Sequence, residues 1–259
     1  MNLTEEQWNL VKIILPEDPV RSDRRGRPWS DPRKVLNGIL WILRTGGTLE
    51  GSARSVWCLS DGSSSLSELG ARGSHGGSPD SHRSGSQGSW RPGFERMFHR
   101  WHFRASQKGG LLVGKTKRGK GTKIMAIAER TGLPVALCTA SASPAEVTLT
   151  QLTVQSRITD DAMPQRLIGD KAYDSDGLDR HLEAVYGIEM IALNRKGRRP
   201  YRKAQDGRAL RRYRRRWKIE WFFAWLFNFR RLVVRYEYHA HNYHSLVQLA
   251  CAIILLRHL

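Results

Sequence analysis

Tyr213-Arg-Arg-Arg216-Trp-Lys-Ile-Glu220 follows Ile168-Gly-Asp170-Lys-Ala-Tyr-Asp-Ser-Asp176 by about forty residues. Positions three and four apart share one face of a helix, so the spacing predicts Tyr213, Arg216 and Glu220 side by side. An acid inside a strongly basic helix, aimed with an arginine and a tyrosine, suits a carboxylate that holds a metal against a phosphate backbone. Upstream, Arg166-Leu-Ile-Gly-Asp170 reads as a short buried strand ending in aspartate, where an α/β sheet presents ligands and catalytic groups. Each acid alone has a plainer reading: aspartate suits the turn after a strand, and a glutamate among arginines is usually an ion-pair partner. Asp174 and Asp176 read as helix-capping and first-turn residues.

Working outward, Thr122–Ala128 and Pro134–Thr139 read as paired strands around the turn Glu129–Leu133. Ser143-Pro-Ala-Glu146 opens a helix to about Val154, Asp174 or Ser175 caps another through Val185, and Ile188–Leu193 is a further strand. A long basic helix over about Leu210–Phe227 and an apolar one from about Tyr243 complete an α/β order. At the other end, Thr4 and Gln7 form a capping-box pair before an apolar stretch that Pro16 and Pro19 end. The basic connector Arg21–Trp29 leads to a second helix, with Ser30 or Asp31 as cap, Pro32 at the first position and Thr45-Gly-Gly47 as its stop.

The formal charge is +19 over 259 residues, with a pI near 10.5, which points to a polyanionic partner. From Arg195 to Arg235 there are 16 Lys/Arg against Asp206 and Glu220, a local balance of +14. Trp217, Trp221, Phe222, Trp225 and Phe229 interleave with them, so the run predicts a half-buried helix with a basic face rather than a solvated tail. Gly114-Lys-Thr-Lys-Arg-Gly-Lys-Gly121 lacks the phosphate-loop pattern and precedes a strand, so it reads as a basic surface loop. The candidate DNA contacts are therefore Lys115, Lys117, Arg118 and Lys120 of this loop and Arg211, Arg212, Arg214 and Arg215 of the helix.

Of the 40 residues from Gly51 to Trp90, eight are glycine and thirteen serine, a composition expected of a disordered linker. Cys58, Cys138 and Cys251 have neither metal-site nor disulfide-framework spacing. With a polar, acidic start instead of a signal peptide, and with Leu246–Leu256 too short to span a bilayer, a cytoplasmic protein without a membrane segment is expected.

Several blocks together resemble the bacterial insertion-sequence DDE transposases. Lys115–Lys123, Ser141–Glu146, Leu167–Asp176, Arg211–Glu220 and Phe227–Val234 look like that family's catalytic domain; Leu3–Trp8 and Val35–Gly46 look like its N-terminal helical region. The resemblance covers about four-fifths of the chain. It implies an RNase H-like α/β fold over 103–259, a helical DNA-binding region over 1–46, and a low-complexity segment over 47–102. It further implies a homo-oligomer acting on double-stranded DNA, at element terminal repeats and target. Asp170 and Glu220 would be metal ligands for Mg²⁺, or Mn²⁺ in its place, with Tyr213 and Arg216 beside them in the catalytic set. The first aspartate of the triad is missing. Where the family carries Phe-Ile-Asp-Gly-Thr, this chain has Phe98-His-Arg-Trp-His-Phe103. Codons for those six residues, read one base later, allow Phe-Ile-Asp-Gly-Thr. A frame change beginning near Gly47 and restored near Phe103 is therefore expected, with impaired cleavage as its consequence. Nothing in the spacing of Glu95 or Glu129 marks either as a replacement ligand. A non-catalytic derivative that binds element ends and inhibits active copies is the competing expectation. A basic RNA-binding protein leaves the carboxylate-bearing helix unexplained.

Overall fold

The computed structural model describes residues 3–13, 15, 30–47, 95–157, 163–194 and 211–258. The Arg21–Trp29 connector, the Gly51–Trp90 stretch, Cys58 and the basic run from Arg195 to Leu210 lie outside the described residues, with the expectations attached to them. Helix α1 (Glu5–Lys12) starts at the expected reciprocal cap: Gln7 N–H donates to Thr4 Oγ1 and Thr4 N–H to Gln7 Oε1. Helix α2 (Pro32–Thr45) is capped by Asp31, whose carboxylate accepts from Arg33 N–H at 2.9 Å. It stops at Gly46, which is left-handed at φ 73°. A Cβ there would stand 3.3 Å from Arg230 Cβ, so glycine permits both the reversal and the close approach.

Six strands follow the order of the chain: β1 (Arg96–Ala105), β2 (Gly114–Thr116), β3 (Gly119–Ala128), β4 (Pro134–Ser141), β5 (Arg166–Ile168) and β6 (Glu189–Ile191). Strand β3 is antiparallel to β1 on one side, and to β4 and the short β2 on the other. Beyond β1 the sheet continues in parallel through β5 and β6. Antiparallel first strands followed by parallel crossovers give a mixed sheet, consistent with the RNase H-like class that the resemblance implied.

Alternation along the central strands builds two cores. Ile124, Ala126 and Ala128 face α2, α5 (Lys218–Phe227) and α6 (Ala240–Leu256), through Leu36, Ile39, Phe222 and Leu246 among others. Met125, Ile127 and Leu167 face the opposite layer, where α3 (Glu146–Gln155) and α4 (Asp176–Tyr186) supply Leu149, Leu178 and Leu182. Helix α2 is thus built into the same core as the helices of the C-terminal half. Among the described residues no helix is long and apolar enough to cross a membrane.

Candidate active site

Strand parity decides which β1 residues meet α5. Phe98 lies in the core that contains Phe222 and Phe223, so Arg100, His102 and Arg104 share its face. The His102 ring is 4.3 Å from Phe223, and the Arg104 guanidinium lies 3.2 Å over Phe227. Ahead of them on the same face, Arg100 Nη1 donates to Glu220 Oε1 at 2.5 Å. The parallel register of β1 and β5 pairs Phe98 with Ile168. Arg100 and Asp170 each follow that pair by two residues, and both of their charges act on Tyr213. Arg100 is thus paired with Glu220 and, like Asp170, within electrostatic reach of Tyr213. The Arg100 and Glu220 side chains stay 28% and 47% exposed, so their pair contributes no more than about 1 kcal/mol to stability. Its importance lies in the sign of the charge.

Asp170 combines both readings of a strand-end aspartate. Its Oδ1 accepts from Ala172 N–H at 2.8 Å and caps the 3₁₀ turn Lys171–Tyr173. Before it, Gly169 has no room for a side chain: a Cβ would come 2.6 Å from both the Tyr173 ring and Met190. Tyr173 turns to the opposite layer and packs against His99, with ring centroids 4.5 Å apart. Neither nitrogen of His99 nor the Tyr173 hydroxyl has a hydrogen-bond partner among the described residues. Burial lowers the His99 pKa to about 3 and raises that of Tyr173 well above its ordinary value.

The single helix expected from Leu210 to Phe227 is broken in two. Residues 211–213 are helical, Arg214–Trp217 form a 3₁₀ turn, and α5 begins at Lys218. Residues three apart eclipse in a 3₁₀ turn, which lays the Arg216 guanidinium over the Tyr213 ring at 4.7 Å. Burial raises the Tyr213 pKa; Arg216 and Arg100 oppose the shift and Asp170 adds to it. The tyrosine thus senses the strand-end aspartate and both arginines. Within the trio inferred from spacing, Tyr213 pairs with Arg216, and Glu220 pairs with Arg100, which also acts on Tyr213.

Lys115, Lys117, Arg118 and Lys120 are all exposed on the β2–β3 hairpin. Arg211, Arg214 and Arg215 are exposed and Arg212 is half-buried. On α5, Ile219, Phe222, Phe223 and Leu226 form the buried face, while Trp221 and the preceding Trp217 stay 48% and 42% exposed. Arg235, the last cation of the basic run, is fully buried. Its guanidinium donates to Thr122 Oγ1 at 2.7 Å and to the carbonyls of Leu111, Glu237 and Tyr238, which makes it an internal tie.

These groups do not fit a pair of divalent ions. Among the described residues, no three His, Cys, Asp or Glu side chains gather as a ligand set. Glu95 is paired with Arg96 and Arg166, and Glu129 is buried with the Thr131 hydroxyl donating to it. Exchanging a carboxylate for a guanidinium changes the local charge by two units. A dication held about 4 Å from a guanidinium meets roughly 8 kcal/mol of repulsion at an effective dielectric near 20.

Comparison with protein families gives two matches. The model of the transposase DDE domain matches residues 96–255. A model of transposases of the IS4/5 family matches residues 3–50. The match to the DDE domain, like strand β1, begins at Arg96. No curated protein matches the chain.

Proposed function

The chain belongs to the transposase DDE domain family, and from that premise we propose that it is an insertion-sequence transposase that binds double-stranded DNA and is impaired in cleaving and transferring it. The observation that carries the reading is the ion pair between Arg100 and Glu220. Members of the family use divalent metals, which activate the attacking oxygen and stabilise the departing one. Here Arg100 stands at the position that the resemblance gives to the first acidic ligand. It neutralises Glu220 and puts positive charge where cations would be held. The remaining roles fall to this chain's own groups. The exposed cations of the β2–β3 hairpin and of Arg211–Arg215 hold the phosphate backbone, and Arg216 orients Tyr213 beside Asp170.

The frame change has support at a neighbouring position. The shifted reading allows isoleucine at 99, where His99 is buried with both nitrogens unpartnered among the described residues. An apolar β-branched residue is what a central strand calls for at such a site.

Purified full-length chain, offered labelled duplex DNA with Mg²⁺ or Mn²⁺, is expected to bind with strong salt dependence and leave the strands uncut. Robust cleavage that Asp170→Ala abolishes would overturn the impairment and show that another carboxylate completes the site. A second reading, a derivative that occupies element ends and inhibits active copies, is favoured by the exposed hairpin cations. Adding the chain to an intact copy separates the two: inhibition at stoichiometric amounts supports the second, and unchanged transposition excludes it.

A further inference from the structure

A second basic concavity lies roughly two turns along α5 from Glu220. Three helices end around one open cleft of about 1040 Å³: α2 at Thr45, α5 at Phe227 and α6 at Leu256. Its walls include Trp41, Arg44, Phe227, Phe229, Arg230 and Arg257, and among the described residues no acidic side chain lines it. The plainest role for the arginines is to answer the helix ends, each of which carries about half a negative charge. Arg44 and Arg230 bring two full charges to helix-end charges that fade within a turn, so positive charge remains. Among the described residues neither Arg44 nor Arg230 pairs with a carboxylate, and both are exposed. Arg257 lies 5.9 Å over the Phe229 ring, and Trp41 is 37% exposed at the edge of the cleft.

We propose that this cleft takes an unpaired DNA strand, with phosphates on Arg44, Arg230 and Arg257 and a base stacked on Trp41. Guanidinium groups match phosphate in a two-bonded fork, and every base offers a face to an aromatic ring. A duplex has its bases already stacked on one another, and the convex hairpin of Lys115–Lys120 suits its outer surface better than this recess does. The cleft exists only because α2, from the first family-matched segment, packs beside the helix ends of the second. The site therefore joins both matched segments on one strand. This inference rests on the reading that the chain binds DNA.

The test measures anisotropy of a labelled mixed-sequence single strand and of its duplex on the full chain, across salt, for wild type and Trp41→Ala/Arg44→Gln/Arg230→Gln. Single-strand affinity should fall at least about 5-fold through removal of the stack alone. Its salt slope should flatten by about 1.4, since each phosphate no longer neutralised removes about 0.7. Duplex affinity should stay within about twofold. Unchanged single-strand binding overturns the proposal, and so does an equal loss for both substrates. A wild type that binds neither substrate fails the DNA-binding reading itself, whereas duplex binding without single-strand binding fails only the cleft. Should the variant not fold, ultraviolet cross-linking of the single strand to wild type decides: adducts are expected at Trp41 or Phe227, and adducts found only elsewhere overturn the assignment.

Discussion

His99 shows how one residue can conflict with a fold that otherwise closes around it. Both ring nitrogens are buried without partners, and burial holds its pKa near 3, so it stays neutral in the folded chain across ordinary pH. The unfolded chain takes up that proton near pH 6.5, so the unfolded state gains stability first as pH falls. Folding stability should therefore drop below pH 6.5, by on the order of 2 kcal/mol down to pH 5 from this residue alone. His102, lowered to about 4 by burial and then by Arg104, Arg100 and Arg118, adds loss in the same direction. Replacing His99 with isoleucine should raise stability at pH 7 by about 1–3 kcal/mol and remove its share of the acid loss. Urea melts across pH measure both, and an unchanged midpoint and acid slope would show that the imidazole is satisfied in solution. At this scale the sequence was half legible. Asp170 and Glu220 announce themselves by a strand end and by an acid in a basic run. The partner of Glu220 did not, because Arg100 is brought to it by the register of β1 and not by any spacing near either residue.

Elements separate cations that look equivalent in the sequence. Arg235 and the arginines of 211–215 belong to one basic run, yet Arg235 ties β3 to the C-terminal segment from within. Arg235→Met should leave three carbonyls and the Thr122 hydroxyl short of a donor, costing about 3 kcal/mol. For a chain of this size that is about 6–12 °C in melting temperature, with duplex affinity unchanged while the protein is folded. The converse variant, Arg211→Glu/Arg212→Glu/Arg214→Glu/Arg215→Glu, should keep its melting temperature within a few degrees. It should weaken duplex binding regardless of sequence and flatten the salt slope by about 0.9 for each phosphate it no longer neutralises. Unaltered binding in that variant reassigns the basic face to a structural role. Caps and turns made most elements readable: Thr4 with Gln7, Asp31 before Pro32, and Ser175 ahead of α4 all stand where their chemistry predicts. Strand β1 was not readable, and the reason is physical. Phe98, Arg100, His102 and Arg104 alternate with Met97, His99, Trp101 and Phe103, so neither face is consistently apolar. Eight register pairs with β3 hold a segment that its own pattern does not declare a strand.

Across the whole molecule, two family-matched segments, 3–50 and 96–255, share one core while the residues between them read in another style. The proposed frame change would account for that discontinuity and for an arginine at position 100 together, and it makes a prediction that neither alone would make. Rewriting codons 47–103 in the alternative frame should place isoleucine at 99 and aspartate at 100. The same edit would replace Trp101 by glycine and His102 by threonine, removing the imidazole that packs on Phe223 and Phe227. With the guanidinium gone, Glu220 is released, and three carboxylates stand where the parallel register and α5 converge. The repaired chain should then cut duplex DNA in the presence of Mg²⁺, and Asp170→Ala in that background should abolish cutting. Arg100→Asp alone should recover little, because His99 and His102 keep the strand in conflict with its surroundings and codons 47–99 remain in the other frame. Two measurements decide this: the nucleotide sequence across codons 45–105 read in all three frames, and a cleavage assay on the three chains side by side. A stop codon in the shifted frame, or a repaired chain that binds DNA and still leaves it intact, removes the frame change as the explanation. Arg100 would then stand as a native feature of the site.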